Sequence, residues 1–190
     1  MSAGFPLADF TNSPAAAMAR PARIDLRTFQ QELASRLATK TAAQVESSRL
    51  GLSSGGARWL VRLADAGEVI TMPSIVKVPM TREWFLGVAN IRGNLFSVVD
   101  FAGFLGHEAP PVAAATRLVL FGPRVGELNA GIVVSRVLGL RNLADLAPVP
   151  TPADAAPWFA QRWMDGDGNA WQEIDLARLA RTPAFLQVGV

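Results

Sequence analysis

Asp165, Asp167 and Asn169 stand at alternate positions, the spacing with which a calcium loop presents oxygen ligands to the metal. The pattern fails further along, because the sixth position, where the sharp bend needs Gly, is Ala170, and the twelfth, which should supply a bidentate Glu, is Leu176. The run is therefore expected to be a hairpin turn. The chain has no cysteine and one histidine, His107, which excludes disulfides, thiolate zinc sites, thiol nucleophiles and His-cluster metals. His107 follows Gly106 at an expected helix end, where an imidazole bonds terminal carbonyls or faces water, and this reading is preferred to a phosphoacceptor. No Ser or Thr sits in a nucleophile-elbow pattern, and Gly51, Gly55 and Gly56 lack the Lys-Ser/Thr of a phosphate loop. The residues point to a protein that is not an enzyme and carries no cofactor or metal.

The isoelectric point of about 9.9 suggests a nucleic-acid binder, yet 18 basic and 16 acidic side chains leave a net charge of only +2. With no Cys, no Tyr, one His and two lysines, Lys40 and Lys77, almost nothing titrates between neutrality and pH 10, so a small excess persists. The arginines are scattered singly, which is not the clustered footprint of phosphate neutralisation, so no nucleic-acid partner is expected. The first twenty residues lack the basic start and apolar run of a secretory signal, and no stretch is apolar for long enough to span a bilayer. The expected location is cytoplasmic.

These residues have to be positioned by a chain of 190 residues, half of them hydrophobic, with 16 Gly and 13 Pro to make many turns. About 1–22 reads as a disordered tail rich in Ala and Pro, and about 23–48 as an N-terminal segment carrying an amphipathic helix over about 26–44. In that helix Asp25 is the cap and Leu26, Phe29, Leu33 and Leu37 form the stripe. The Ser/Gly-rich run 46–56 reads as a linker. Beyond it short strands are expected at 59–63, 68–72, 75–78, 95–99, 117–121, 129–134, 137–140, 158–164 and 171–174. A helical turn is expected at 81–85, a helix capped by Asp100 at 101–105, and another at 175–181. Many short strands with Gly/Pro turns and no βαβ rhythm predict a mainly β fold of small barrels or a sandwich. The Trp and Phe residues are expected in the core, with Trp84 and Phe85 the better surface candidates.

The run Trp84-Phe85-Leu86-Gly87-Val88-Ala89-Asn90-Ile91-Arg92-Gly93-Asn94-Leu95-Phe96-Ser97-Val98-Val99-Asp100 resembles the signature of CheW-type chemotaxis coupling proteins. Further resemblance lies in Ile75-Val76-Lys77-Val78-Pro79 and in Ala130-Gly131-Ile132-Val133-Val134 with Val137 and Leu140, together covering about 57–182. The leading helix, the Gly103-Phe104-Leu105-Gly106 stretch and the Phe185-Leu186-Gln187-Val188 end resemble the branch of the family that serves twitching motility by type IV pili.

The resemblance implies two packed five-stranded SH3-like β-barrels, one from about 57–80 plus 162–182 and the other from about 84–160, followed by a tail at 183–190. It implies an adaptor without enzymatic activity that couples the cytoplasmic tip of a chemoreceptor to the regulatory domain of a CheA-type histidine kinase, peripheral to the membrane only through the receptor array. A flagellar chemotaxis adaptor is the alternative within that class, and a barrel-type ligand-binding module the alternative outside it. By the same resemblance the receptor groove takes in Arg92, Glu68, Ala66, Val88, Ile91, Val137 and Leu140, while Met72, Ile75 and Val78 are candidates for the kinase. Gly87, Asn90, Gly93 and Asp100 read as determinants of the fold, the glycines through positive φ or close approach and Asn90 by bonding its own loop. Arg92 and Glu68 are expected either to pair and fix the loop between strands or to act as separate solvated charges. Ala66 and Ser135 depart from the family pattern, where a larger aliphatic residue and an Asp are usual, which puts receptor affinity or receptor class in question.

Overall fold

The computed structural model describes residues 45–108 and 111–190. The expected tail and the whole of the expected amphipathic helix at about 26–44 lie outside those residues. Eleven strands follow: β1 (Ser48–Ser54), β2 (Ala57–Arg62), β3 (Ala66–Ile70), β4 (Phe85–Ile91), β5 (Asn94–Asp100), β6 (Arg117–Phe121), β7 (Ala130–Val134), β8 (Arg136–Asn142), β9 (Ala147–Val149), β10 (Phe159–Met164) and β11 (Ala170–Ile174). Short helices accompany them at α1 (Phe101–Phe104), α2 (Leu176–Leu179) and α3 (Pro183–Leu186), and residues 45–47 ahead of β1 are also helical.

The strands form two sheets, ordered β8-β1-β2-β11-β10-β9 and β3-β6-β7-β5-β4. Each sheet contains one parallel pair, β2 with β11 and β5 with β7, and is otherwise antiparallel. Strands β8 and β9 are opposite edges of the first sheet, yet only a 3-10 turn at Leu143–Asp145 separates them. Six flat strands about 4.8 Å apart would hold those edges about 24 Å from each other, whereas the five residue steps from Asn142 to Ala147 reach at most about 18 Å. The sheet must curl. In the second sheet the chain after β3 returns to the far edge, where Val76 and Val88 exchange backbone hydrogen bonds of 2.8 and 2.9 Å.

Curling gives each sheet an inner and an outer face, and both are apolar. Leu60, Leu146 and Trp171 pack inside the first sheet, and Ala89, Val98, Leu118, Leu120 and Val133 inside the second. Between the sheets lies the largest cluster, with Leu52, Trp59, Val61 and Ile174 from one side and Val99, Val119, Ile132 and Val134 from the other. This explains why 117–121 and 130–134 read as continuous apolar runs: each is covered on both faces.

Several expectations are corrected. The supposed linker contains β1, a buried strand paired with both β2 and β8, and Gly55-Gly56, both at positive φ, form the tight turn between β1 and β2. Gly51 belongs in β1 because a Cβ there would meet Trp171 at 3.1 Å and the Gly139 carbonyl at 3.2 Å. The division between the two bodies also differs, since β3 joins the second sheet while β8 and β9 rejoin the first, well before residue 162. Residues 75–78 make one isolated bridge instead of a strand. In place of a helical turn at 81–85 there is a β-turn closed by Phe85 N donating to the Arg82 carbonyl at 2.9 Å. The supposed tail 183–190 is anchored: Phe185 is buried against Phe121, Trp84 and Phe104, and Gly189 bridges to Thr81. Phe85 is buried and Trp84 half-buried, so neither stands out as a surface aromatic.

Candidate functional site

The Gly-Val-Ala-Asn-Ile-Arg-Gly motif is a strand and a tight turn. Register pairs Ile91 with Asn94, leaving Arg92 and Gly93 as a two-residue turn with φ of 52° and 87°. Two positive φ values are what the right-handed twist of a hairpin asks of such a turn. Arg92 is strained there, since a side chain at positive φ costs about 1–2 kcal/mol. Asn90 offsets part of that cost by accepting a 2.9 Å hydrogen bond from Gly93 N through its Oδ1.

The same turn aims the arginine. Arg92 Nη2 donates to Glu68 Oε1 at 2.7 Å, and because Glu68 is on β3 while Arg92 follows β4, the pair joins the two outermost strands of the second sheet. Its side chains are 77% and 41% exposed, so the pair leaves the arginine face available to a partner. Further up β4, Gly87 has φ 130°, and a Cβ there would fall 2.1 Å from the Val76 carbonyl oxygen. Only glycine allows β4 to pair with the returning chain at Val76. Asp100 ends β5 and caps α1, accepting from Ala102 N at 3.1 Å, and burial pushes its carboxyl above the ordinary range.

The remaining residues assigned to the receptor groove are not gathered into one surface. Ala66, Val88 and Val137 are half-buried against the cluster between the sheets, whereas Ile91 packs on the inner face of the second sheet. Leu140, on the edge strand β8, is 59% exposed. Of the residues assigned to the kinase, Met72 and Ile75 pack against the inner cluster of the second sheet and Val78 is exposed. Val78 stands between exposed Val76 and Met80, the latter at φ 60° in a bend, along an exposed apolar edge. The alternation Val76-Lys77-Val78-Pro79-Met80 was the available signal for that edge.

Two further features escaped sequence reasoning. Arg49, called part of a linker, is buried on β1 and donates from Nε to Glu173 Oε1 on β11 at 2.6 Å. The other carboxylate oxygen of Glu173 accepts from Trp163 Nε1 at 2.8 Å. Near the C-terminus, Trp84, Phe104 and Trp158 line a cleft of about 500 Å³ with Arg82 and Gln187 at its rim. Two of its rings, Trp84 and Phe104, meet edge-on at 5.3 Å, and Phe104 meets the buried Phe185 ring beneath in the same way at 5.4 Å.

The Asp165–Asn169 turn is closed on itself, with Asp165 accepting from Asn169 N (2.8 Å), Asn169 Nδ2 (3.0 Å), Asp167 N (3.1 Å) and Trp171 Nε1 (2.9 Å). These donors, the Trp171 indole foremost, lower its carboxyl to about 2. Among the described residues, no helix is long and apolar enough to cross a membrane.

Comparison with known proteins bears on the family and the fold. Over 173 residues the chain is 29% identical to Protein PilI of Pseudomonas aeruginosa, spanning 88% of this chain and 94% of that protein. It is 35% identical over 119 residues to Protein FrzA of Myxococcus xanthus, spanning 60% of this chain and 73% of FrzA. The crystal structure of the scaffolding protein TtCheW from Thermoanaerobacter tengcongensis superimposes with a TM-score of 0.59 at 20% identity, covering 68% of this chain and 88% of that one, which is a likeness of fold. Residues 50–184 match the CheW-like domain, a span that takes in every strand from β2 to β11 and both residues of the Arg92–Glu68 pair, and the chain therefore belongs to the CheW-like family of chemotaxis coupling proteins.

Proposed function

We propose that this chain is a non-enzymatic adaptor that couples the cytoplasmic tip of a methyl-accepting chemoreceptor to the regulatory domain of a CheA-type histidine kinase, in an array that controls twitching motility by type IV pili. The carrying observation is the resemblance to PilI, which extends over 94% of that protein and so is not confined to the domain that the wider family shares. The adaptor works in the cytoplasm and reaches the membrane through the receptor. Its receptor-facing residue is Arg92, held out of the barrel by the positive-φ turn and oriented by Glu68. In this reading Ala66, Val88 and Val137, half-buried against the cluster between the sheets, and exposed Leu140 add apolar receptor contacts at separate places, while Ile91 packs on the inner face of the second sheet. The kinase meets the exposed edge at Val78, which Met72 and Ile75 hold in place from the inner cluster.

A reconstitution tests the reading. The intact chain is mixed with a soluble receptor-tip fragment and the kinase from the same genome, and autophosphorylation of the kinase is followed. An adaptor raises the kinase rate only when the receptor fragment is also present. An equal rate without the chain would reject the coupling role. Deleting the gene should abolish twitching and leave swimming intact, and the reverse result would assign the chain to a flagellar array.

A further inference from the structure

At the β1–β2 turn end of the first sheet is an open cleft of about 650 Å³ whose polar lining consists of Ser53, Arg58, Ser135, Arg136 and Gln172. All five offer hydrogen-bond donors, and among the described residues no carboxylate lines the cleft. Register places Arg58 and Arg136 directly opposite Ser53 on its two sides, so the guanidinium-bearing residues stand two strands, about 10 Å, apart on one face. No side chain of the five takes part in a hydrogen bond or ion pair among the described residues. Arg58 lies over the Trp171 ring at 5.9 Å, and Arg141 lies over the same ring at 5.2 Å. Asp165, whose carboxylate accepts from the N–H of that indole, has its oxygens taken up by Trp171 and the Asn169 turn.

With β1 between β2 and β8, the two guanidinium groups share one face without a counter-charge between them, and an anion entering there can bond both. We propose that this cleft binds an acidic, extended segment of a protein partner, with two of its carboxylates bridging Arg58 and Arg136 across Ser53. A peptide fits better than a small anion because the two arginines start about 10 Å apart, whereas carboxylates two residues apart on an extended chain are about 7 Å apart and within arginine reach of both. The apolar rim of Ala57, Ala113 and Leu138 gives the intervening side chains somewhere to lie. Nucleic acid fits less well, since among the described residues the lining holds no aromatic side chain on which a base could stack. The cleft is distinct from the Arg92–Glu68 pair, so its occupant and the receptor reading can fail separately.

The test uses the full chain and a fluorescein-labelled octapeptide of four Asp-Ala repeats, with the Asn-Ala octapeptide as the neutral control. Anisotropy should show saturable binding of the acidic peptide that weakens as salt rises from about 50 to about 300 mM. Arg58→Gln with Arg136→Gln should weaken it about tenfold or more, while Arg178→Gln with Arg181→Gln, which removes the same charge elsewhere, should change it less than about twofold. In the unaltered chain the amide resonances of Gly56, Ser135 and Gln172 should shift with the peptide, which reads the site without any substitution. Equal weakening by both pairs, no preference over the neutral peptide, displacement by inorganic phosphate at the peptide's own concentration, or tighter binding of an oligothymidylate would each overturn the proposal.

Discussion

Arg49 and Glu173 meet at 2.6 Å inside the first sheet, 124 positions apart in sequence, and tie the first strand of the described fold to its last. Both side chains are nearly inaccessible, and the remaining oxygen of Glu173 holds the Trp163 indole. Burying both charges costs desolvation that their attraction repays only with such added hydrogen bonds. Removing one member strands the other. Arg49→Met or Glu173→Leu alone should therefore cost about 3–5 kcal/mol in urea unfolding, and the double replacement should recover a large part of that loss. Simple additivity of the two losses would mean that the pair is not coupled.

Gly87 and Gly93 occupy the same motif and should respond differently to alanine. At Gly93 nothing lies within 4 Å of the added Cβ, so Gly93→Ala meets only the unfavourable φ and should cost about 1–2 kcal/mol. At Gly87 the Cβ runs into the Val76 carbonyl, and relief requires breaking the bridge between Val76 and Val88. Gly87→Ala should therefore destabilise by more than Gly93→Ala and raise hydrogen exchange at the Val76 and Val88 amides. Equal melting temperatures for the two variants would remove the steric argument.

The low carboxyl of Asp165 has a defined acid signature. Its pKa in the fold, about 2, lies below the ordinary 3.8, so its stabilisation is complete above about pH 4 and is lost as pH falls from about 4 towards 2. Asp165→Asn should be less stable than the unaltered chain at neutral pH, and the gap between their melting temperatures should close across that window. A gap that stays constant from pH 7 to 2 would show that the ionised carboxylate is not what holds the turn.

How legible each element was depended on whether its pattern was local. Strands β6 and β7 were plain because burial on both faces leaves an unbroken apolar run. The tight turn at Asp165 and the Asp100 cap were equally readable, since both are short-range hydrogen-bond chemistry. Strand β1 was hidden because its glycine answers to the distant Trp171 and Gly139, and its arginine to Glu173. The regrouping of β3, β8 and β9 between sheets was hidden for the same reason, as strand partners are a matter of closure over the whole chain. Of the candidate site, the motif glycines and the arginine stood out by residue type. Which neighbours are half-buried beneath them, such as Ile91 or Met72, is decided by packing between layers.

Arg92 and Glu68 allow stability and recognition to be separated. An exposed ion pair contributes only about 0–1 kcal/mol to a fold, so Arg92→Ala should barely change the melting temperature, and relief of the positive φ is not expected because alanine inherits it. If Arg92 faces the receptor, the same substitution should weaken receptor binding by about 2–5 kcal/mol, because a charge-assisted contact is lost where the interface excludes water. Glu68→Ala acts one step further away: it frees the guanidinium to leave the pose that the turn sets, so its effect should be smaller and should vanish in the absence of Arg92. The measurement is a double-mutant cycle on dissociation constants for a receptor-tip fragment, alongside binding to the kinase regulatory domain as the control. A coupling energy within about 0.3 kcal/mol of zero would show that the two side chains act independently at the receptor. Unchanged affinity in Arg92→Ala would remove the arginine from the interface and leave the motif as a device for closing the second sheet, a role that Gly87 and Asn90 already serve through the backbone.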